Sequence, residues 1–317
     1  MTDPTPLRYD VWPTVIVNLD MYVRFQLFIR CPAVRRAEIS CPAKIDDLSF
    51  NLTSITMGKT NFRLAPRYRL IIVLEDKTRE LEFKTRPRFE FEAMKQIAMK
   101  LLGRYSKPVI VGKLTLAFRV IQRNSFLPPT LKITSRSLKV TAFGTNSSEN
   151  VLNDIRRHLT LNSFPLEDLQ LDIGFEWTED PILGTAKNLK LTSNPDTLYG
   201  VKNHKVQVNL CSISLFNPIT LIEVWRTEKA EVGRHFRLKG FSFDETRWVL
   251  DVVKEFPGFV KGTREDNSES SMFPECFILE MSDEKRLSVF GKQYLTEVGY
   301  FCYEVHFKLT QILNDIV

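Results

Sequence analysis

The sequence predicts an α+β fold: a small N-terminal helical lead, an antiparallel sheet with one helix, and an irregular, leucine-rich-repeat-like α/β C-terminal half. Three observations carry that expectation. First, short segments in the second half repeat one apolar face: Leu131-Lys-Ile133, Leu138-Lys-Val140, Leu169-Gln-Leu171-Asp-Ile173, Leu189-Lys-Leu191 and Val206-Gln-Val208-Asn-Leu210. Each alternates apolar with polar, the pattern of a strand that buries one face and wets the other. From Leu138 their starts advance by 31, 20 and 17 residues, too unevenly for a regular solenoid but in keeping with units that bury their faces against one another. Second, residues 45–73 alternate or run apolar with turns between them. Third, the first forty residues carry helical stripes and caps instead.

In the lead, Trp12, Val15, Ile16 and Leu19 fall at i, i+3, i+4 and i+7, one face of a helix that must begin near Pro13 because proline is tolerated only in the first turn. Asp20 is placed to cap a second helix carrying Val23, Leu27 and Cys31. Pro32 suits the start of a third, short helix through Glu38, and Pro42 ends it. From Ile45, the pairs Leu48/Phe50, Leu52/Ile55 and Phe62/Leu64 and the run Tyr68–Val73 predict a small antiparallel sheet, with Met57-Gly58-Lys59-Thr60 as a turn. Gly58-Lys59-Thr60 is not a phosphate-binding loop, since Thr53 stands where the earlier glycine is required.

Phe89–Leu102 is the best-marked helix. Glu90 and Glu92 lie near its start, Lys95 and Lys100 towards its end, and Gly103 just beyond, as the helix dipole and C-cap prefer. Asn124–Thr130, with two prolines, is the expected domain boundary, giving units 1–42, 43–125 and 126–317. Beyond it a helix carries Val151, Leu152, Ile155, His158 and Leu159, and a strand, helix and parallel return strand are implied. His158 on that apolar face reads as a core histidine, because no second ligand stands at i+4. Asn217-Pro218 opens a helix to about Lys229, and Ser242-Phe-Asp-Glu245 is a capping box for another that Pro257-Gly258 ends. Residues 261–271 are polar and read as a loop, and strands at 277–279, 287–290 and 303–309 close the chain.

At 317 residues and 43% hydrophobic the chain can bury a substantial core. No apolar run approaches the ~20 residues that span a bilayer, and no secretion signal is read at Met1, so no membrane partner is expected and the cytoplasm or nucleus is the expected location. Five scattered cysteines without a CxxC pair point to reduced thiols rather than a zinc site. The net charge of +6 is uneven: residues 1–125 hold 22 basic against 12 acidic side chains, and residues 126–317 hold 22 against 26. The basic half invites a nucleic-acid reading, but Arg63, Arg67, Arg69, Lys77 and Arg79 are interrupted by Glu75, Asp76 and Glu80, and no recognition module accompanies them.

The run Leu7-Arg-Tyr9 through Trp12, Leu19-Asp20, Arg24-Phe25-Gln-Leu27 and Cys31-Pro32, leading to Glu38-Ile-Ser-Cys41-Pro42-Ala43-Lys44-Ile45, resembles the degenerate F-box lead of the nematode F-box C family, whose members also carry a nematode-expanded domain of unknown function. Leu101-Leu102-Gly103-Arg104, Leu221-Ile-Glu-Val-Trp225, Glu231-Val-Gly233-Arg-His-Phe236 and Leu287-Ser-Val-Phe-Gly291 resemble later motifs of that family, with Arg234 where it usually has threonine. The resemblance implies a substrate-recognition adaptor of an SCF-type ubiquitin ligase. An F-box-like lead would meet the ligase's adaptor protein, and the C-terminal half would hold an unknown protein substrate. The docking candidates are Trp12, Ile16, Leu19, Phe25 and Leu27 as apolar contacts, with Arg24 and Arg30 as complementary charges. A ligase-independent interaction scaffold and, less favoured, a basic nucleic-acid-binding protein using residues 59–113 are the alternatives.

No catalytic constellation stands out, and no enzyme activity, cofactor or metal is expected. The four histidines look isolated, with His306 on the polar side of an alternating strand and so directed at solvent. Glu176, Glu179 and Asp180 around Trp177 read as an exposed acidic turn.

Overall fold

The computed structural model describes residues 11–65, 69–74, 77–82, 90–119, 127–143, 148–175, 181–193, 199, 201–209, 216–262, 273, 275–282, 284–296 and 299–312. The chain divides into two compact units, residues 1–166 and 167–317. Leu7-Arg-Tyr9, Asn124–Phe126 of the expected boundary, the acidic turn at 176–180 and residues 263–271 of the polar loop lie outside the described residues.

In the first unit the lead forms α1 (Trp12–Val17), α2 (Met21–Arg30), a 3-10 turn (Pro32–Val34) and α3 (Arg35–Ser40). The caps follow local chemistry. Pro13 sits in the first turn of α1, and the Asp20 carboxylate accepts from Tyr22 N at 2.7 Å at the start of α2. Strands β1 (Lys44–Asn51), β2 (Ser54–Met57), β3 (Thr60–Ala65), β4 (Arg69–Leu74) and β5 (Lys77–Glu82) form the antiparallel meander the alternation predicts. Helix α4 (Glu90–Leu101) leads to β6 (Val109–Arg119), which pairs parallel with β1 on one side and with β7 (Ile133–Phe143) on the other. Strands from either side of residues 124–130 are therefore hydrogen-bonded to each other within one unit. Leu131–Ile133 and Leu138–Val140 belong to β7 and its approach, a single strand rather than two. Helix α5 (Ser148–His158) follows, and His158 is buried with Nδ1 2.9 Å from the Leu131 carbonyl oxygen, a satisfied core histidine.

Strict alternation breaks at one place in three neighbouring strands. Ile45 and Leu48, Val111 and Leu114, and Ser135 and Leu138 all point inward although three residues apart, and they pair in register across β1, β6 and β7. Gly112 sits in that step, where a Cβ would meet the Asp46 carbonyl oxygen at 2.6 Å. The register is unbroken through this step, with Ile45 opposite Val111 and Leu48 opposite Leu114, so all three strands change phase together.

The second unit contains β8 (Asp168–Phe175), α6 (Pro181–Thr185), β9 (Asn188–Ser193), β10 (Lys205–Asn209), α7 (Pro218–Thr227), β11 (His235–Phe241), α8 (Phe243–Glu255), β12 (Val260–Gly262), β13 (Cys276–Ser282), β14 (Lys285–Leu295) and β15 (Phe301–Gln311). Its strand order is β12-β13-β14-β15-β11-β10-β9-β8. Strands β8, β9, β10 and β11 run parallel; β15 joins β11 antiparallel and the rest are antiparallel hairpins. The expected caps appear as Asn217 Oδ1 accepting from Ile219 N and as the Ser242–Glu245 capping box, while α8 ends before Gly258, whose φ of +94° favours glycine.

The apolar segments stack in register. Leu169, Leu189, Val206, Phe236, Phe307 and Val289 form one row and Leu171, Leu191, Val208, Leu238 and Val305 the next, all buried. Leu210 and the side chain of Ile173 lie outside the described residues. Helix α8 covers the β14, β15 and β11 part of this face: Leu250 lies 3.2 Å from the place a Cβ on Gly291 would take. Phe216, at the entrance to α7, packs on Phe236 and Phe307. Among the described residues no helix is long and apolar enough to cross a membrane.

Leu191→Ala removes side-chain volume from the middle of a closed row, so it should lower unfolding free energy by about 2–5 kcal/mol. Lys190→Ala, its outward neighbour, should change it by no more than about 0.5 kcal/mol. Urea unfolding of both variants reads the difference, and equal losses would contradict the one-sided packing.

Candidate functional site

Two surfaces are candidates for a functional site: the helical lead and the outward face of the second unit's sheet. In the lead, Ile16 is fully buried with Val34, Ala37 and Cys41, and Trp12, Val17 and Cys31 pack around them. Helix α1 stops at Val17, so Leu19 lies in the turn that follows, half-buried. Arg24, expected as a surface charge, is 1% exposed. Its guanidinium donates to the carbonyls of Pro42 (3.0 Å), Glu38 (3.2 Å) and Cys41 (3.2 Å), and Nε lies 3.5 Å from Glu38 Oε1. The physical reason is that the end of α3 leaves carbonyls without intrahelical donors, and Arg24 supplies them.

Glu38, fully buried, is the centre of this cluster. It also accepts from Arg104 through both carboxylate oxygens at 3.2 Å and from the Tyr105 hydroxyl at 2.5 Å. Burial pushes the Tyr105 hydroxyl pKa up, more than the Arg104 charge pulls it down, so the phenol keeps its proton and remains a donor. Arg104 lies over the rings of Phe28 (4.7 Å), Tyr105 (4.9 Å) and Phe25 (5.4 Å), and Phe25 meets Phe62 of β3 edge-on at 6.0 Å. Two of the docking candidates, Arg24 and Phe25, thus hold the lead to the body of its own unit.

The expected stripe of Val23, Leu27 and Cys31 is not the buried side of α2, because Met21 and Arg24 take that place. Val23 is 41% exposed, Leu27 half-buried and Arg30 exposed. At i, i+4 and i+7 these three share the outward face. Ile29 is also exposed, at 47%. Of the seven candidates, Leu27 and Arg30 lie on the outward side, Trp12 and Leu19 are partly accessible, and Ile16, Arg24 and Phe25 serve the lead's own packing.

On the second unit's sheet, the residues between the apolar rows point to the other face and also line up. One row is Asn188, Lys205, His235 and Lys308; the next is Lys190, Gln207, Arg237 and His306; the third is Thr192, Asn209, Lys239 and Glu304. Side chains bond along and across the strands: Asn188 to Asp168 at 3.0 Å, Gln170 to Asp172 at 3.1 Å, Gln207 to Asn209 at 3.3 Å, and Arg237 to Gln207.

His306 is not solvated as its place in the alternation suggests. It is 6% exposed and stacked between His235 (5.2 Å) and Phe290 (4.9 Å). His306 Nε2 lies 3.1 Å from Glu304 Oε2, and His306 Nδ1 lies 3.0 Å from His235 Nε2. If His306 donates to the carboxylate, its Nδ1 accepts from His235. Burial alone would raise the Glu304 carboxyl, but the hydrogen bond from His306 and the Arg237 charge outweigh it and hold the group below the ordinary carboxylate range. Burial, then the neighbouring His306, Arg237, Lys308 and Lys205, push His235 down to about 4. Nothing local in the sequence marks this pair, because the two histidines are 71 residues apart. Arg234, where the resembling family has threonine, is buried over the Trp225 ring at 5.2 Å and donates to the Val201 carbonyl. Among the described residues no group of three or more His, Cys, Asp or Glu side chains is arranged to hold a metal ion.

Residues 91–242 match a family model described as a domain of unknown function, DUF3557. The matched run starts in α4 and closes just past β11, so among the described residues it takes in every strand that pairs in parallel except β1. No curated protein matches the chain.

Glu38→Ala leaves two arginines without their carboxylate in a buried setting, and chemical denaturation should show a loss of about 3–5 kcal/mol. The depressed His235 pKa also fixes a pH dependence. The unfolded chain binds a proton near pH 6.5 and the folded chain only near 4, so stability falls as pH drops through that window. His235→Gln should flatten the slope of stability against pH between about 6.5 and 4.

Proposed function

We propose that this protein is a non-catalytic protein-interaction adaptor of an SCF-type ubiquitin ligase, with the outward face of α2 meeting the ligase's adaptor protein and the polar sheet face of the second unit holding the client. The observation that carries the first half is the exposed Val23–Leu27–Arg30 face on a lead whose sequence resembles that of the nematode F-box C family. Packing consumes Ile16, Arg24 and Phe25, but it leaves one apolar-and-basic helical stripe facing outward. The second half is supported by the architecture. Four parallel strands, with α6 between β8 and β9 and α7 between β10 and β11, bury one face and leave the other polar, the division of labour of a leucine-rich-repeat-like platform. Parallel sheets with both faces covered by helices instead read as near-continuous apolar runs.

A second reading has its own observation. The cluster on Glu38 ties the lead to its unit through buried charges, which suits a scaffold that needs no ligase and binds through its sheet alone.

Affinity purification of the full chain with mass spectrometry separates the two. The ligase reading expects the ligase's adaptor protein with the wild type, and its loss with Val23→Asp or Leu19→Asp while other partners persist. A wild-type sample without that adaptor rejects the ligase reading in favour of the scaffold.

A further inference from the structure

The three outward rows on β9, β10, β11 and β15 have a strong imbalance of charge. Lys190, Lys205, Arg237, Lys239 and Lys308 stand there against one carboxylate, Glu304. Glu304 is itself buried and engaged by His306 at 3.1 Å and Arg237 at 3.8 Å. Neighbouring strands lie about 4.8 Å apart, so the four strands present these groups within roughly 14 Å. Among them, on the same face, the rings of Phe290, His306 and His235 stack on one another. Lys205 and Lys190 are exposed, and Lys205 pairs in register with His235, which pairs with Lys308.

We infer that this patch receives an acidic peptide segment of a partner protein, whose carboxylates meet Lys190, Lys205, Arg237 and Lys308 while its backbone meets the amides of Gln207 and Asn209. The inference rests on the reading of this face as the client platform and names the chemistry of the client. Charge complementarity supplies the attraction, since opposed potentials across an interface both steer encounter and select partners. Burial and His306 come first in depressing His235, and the positive charges of Arg237, Lys308 and Lys205 add to it.

A peptide fits better than a nucleic-acid backbone for two reasons. The basic patch is short and ends at β8, where Asp168 and Asp172 lie on the same face: a peptide can place a few carboxylates on the cations and continue with uncharged residues, whereas a nucleic-acid backbone carries a charge at every nucleotide and would run on into those carboxylates. The amides between the cations both donate and accept, as a peptide backbone requires.

The test is fluorescence anisotropy of the full-length protein with a labelled oligoglutamate peptide, and with a single-stranded RNA of matched charge as the competing class. Binding of the peptide should weaken as salt rises and fall at least about tenfold in the Lys205→Glu/Lys308→Glu variant, with folding checked by circular dichroism. Lys100→Glu, on the exposed side of α4 in the other unit, should leave it unchanged. In an NMR titration, bound peptide should raise the His235 pKa from about 4, a readout that adhesion elsewhere on the protein would not move. Absence of peptide binding, equal loss in Lys100→Glu, an unmoved His235, or tighter binding of RNA each overturns the inference. These outcomes are independent of whether the ligase's adaptor is captured. If capture of clients is lost on disrupting this face while the acidic peptide fails to bind, the platform stands and only its proposed chemistry falls.

Discussion

Alternation with a period of two, held in register from strand to strand, is the constraint on which this protein is built. In the second unit it stacks Leu169, Leu189, Val206, Phe236 and Phe307 into one buried row. A slip of one residue in any strand would put that strand's leucines into water and its lysines into the core. The same rule that closes the core also aligns the outward residues, so a row of cations and amides is an automatic by-product of a row of leucines. The sheet's outward polar surface and its stability are therefore two faces of one register.

The lead is held by a different kind of interaction. Glu38 gathers Arg24, Arg104 and the Tyr105 hydroxyl inside the first unit, where the desolvated charges are offset by opposite charge and by hydrogen bonds from the Arg24 terminal nitrogens, while Arg24 Nε faces Glu38 at 3.5 Å without a hydrogen bond. Such a cluster adds little stability over an apolar core but specifies position, since a misplaced helix would strand a buried charge. That gives the α2 face a fixed orientation on the body of its own unit. A rigid presentation lowers the entropic cost of docking compared with a flexible tail.

Local chemistry was legible in the sequence and distant chemistry was not. Asp20, Asn217 and the Ser242–Glu245 box announce their helices because a cap involves residues two or three apart. The leucine pairs announce their strands for the same reason. Arg24 and Glu38 are 14 residues apart, Glu38 and Arg104 are 66, and His235 and His306 are 71; no spacing rule connects them. Two misreadings followed from this. Arg24 reads as a surface charge until α3 is laid across it, and His306 reads as a solvated histidine until β11 and β14 flank it. The inward residues Val111 and Leu114 also break strict alternation, in step with Ile45 and Leu48 on β1 and with Ser135 and Leu138 on β7, a match between strands that no local pattern marks.

The proposed function places a partner protein on the outward face of the second unit's sheet, not on its helical side. Lysine-acetylation footprinting of the native complex with its captured partners measures this directly. The account predicts slowed modification of Lys190, Lys205 and Lys239, with Lys254 on α8 reacting as in the free protein. Protection of Lys254 with those three lysines unprotected would contradict it.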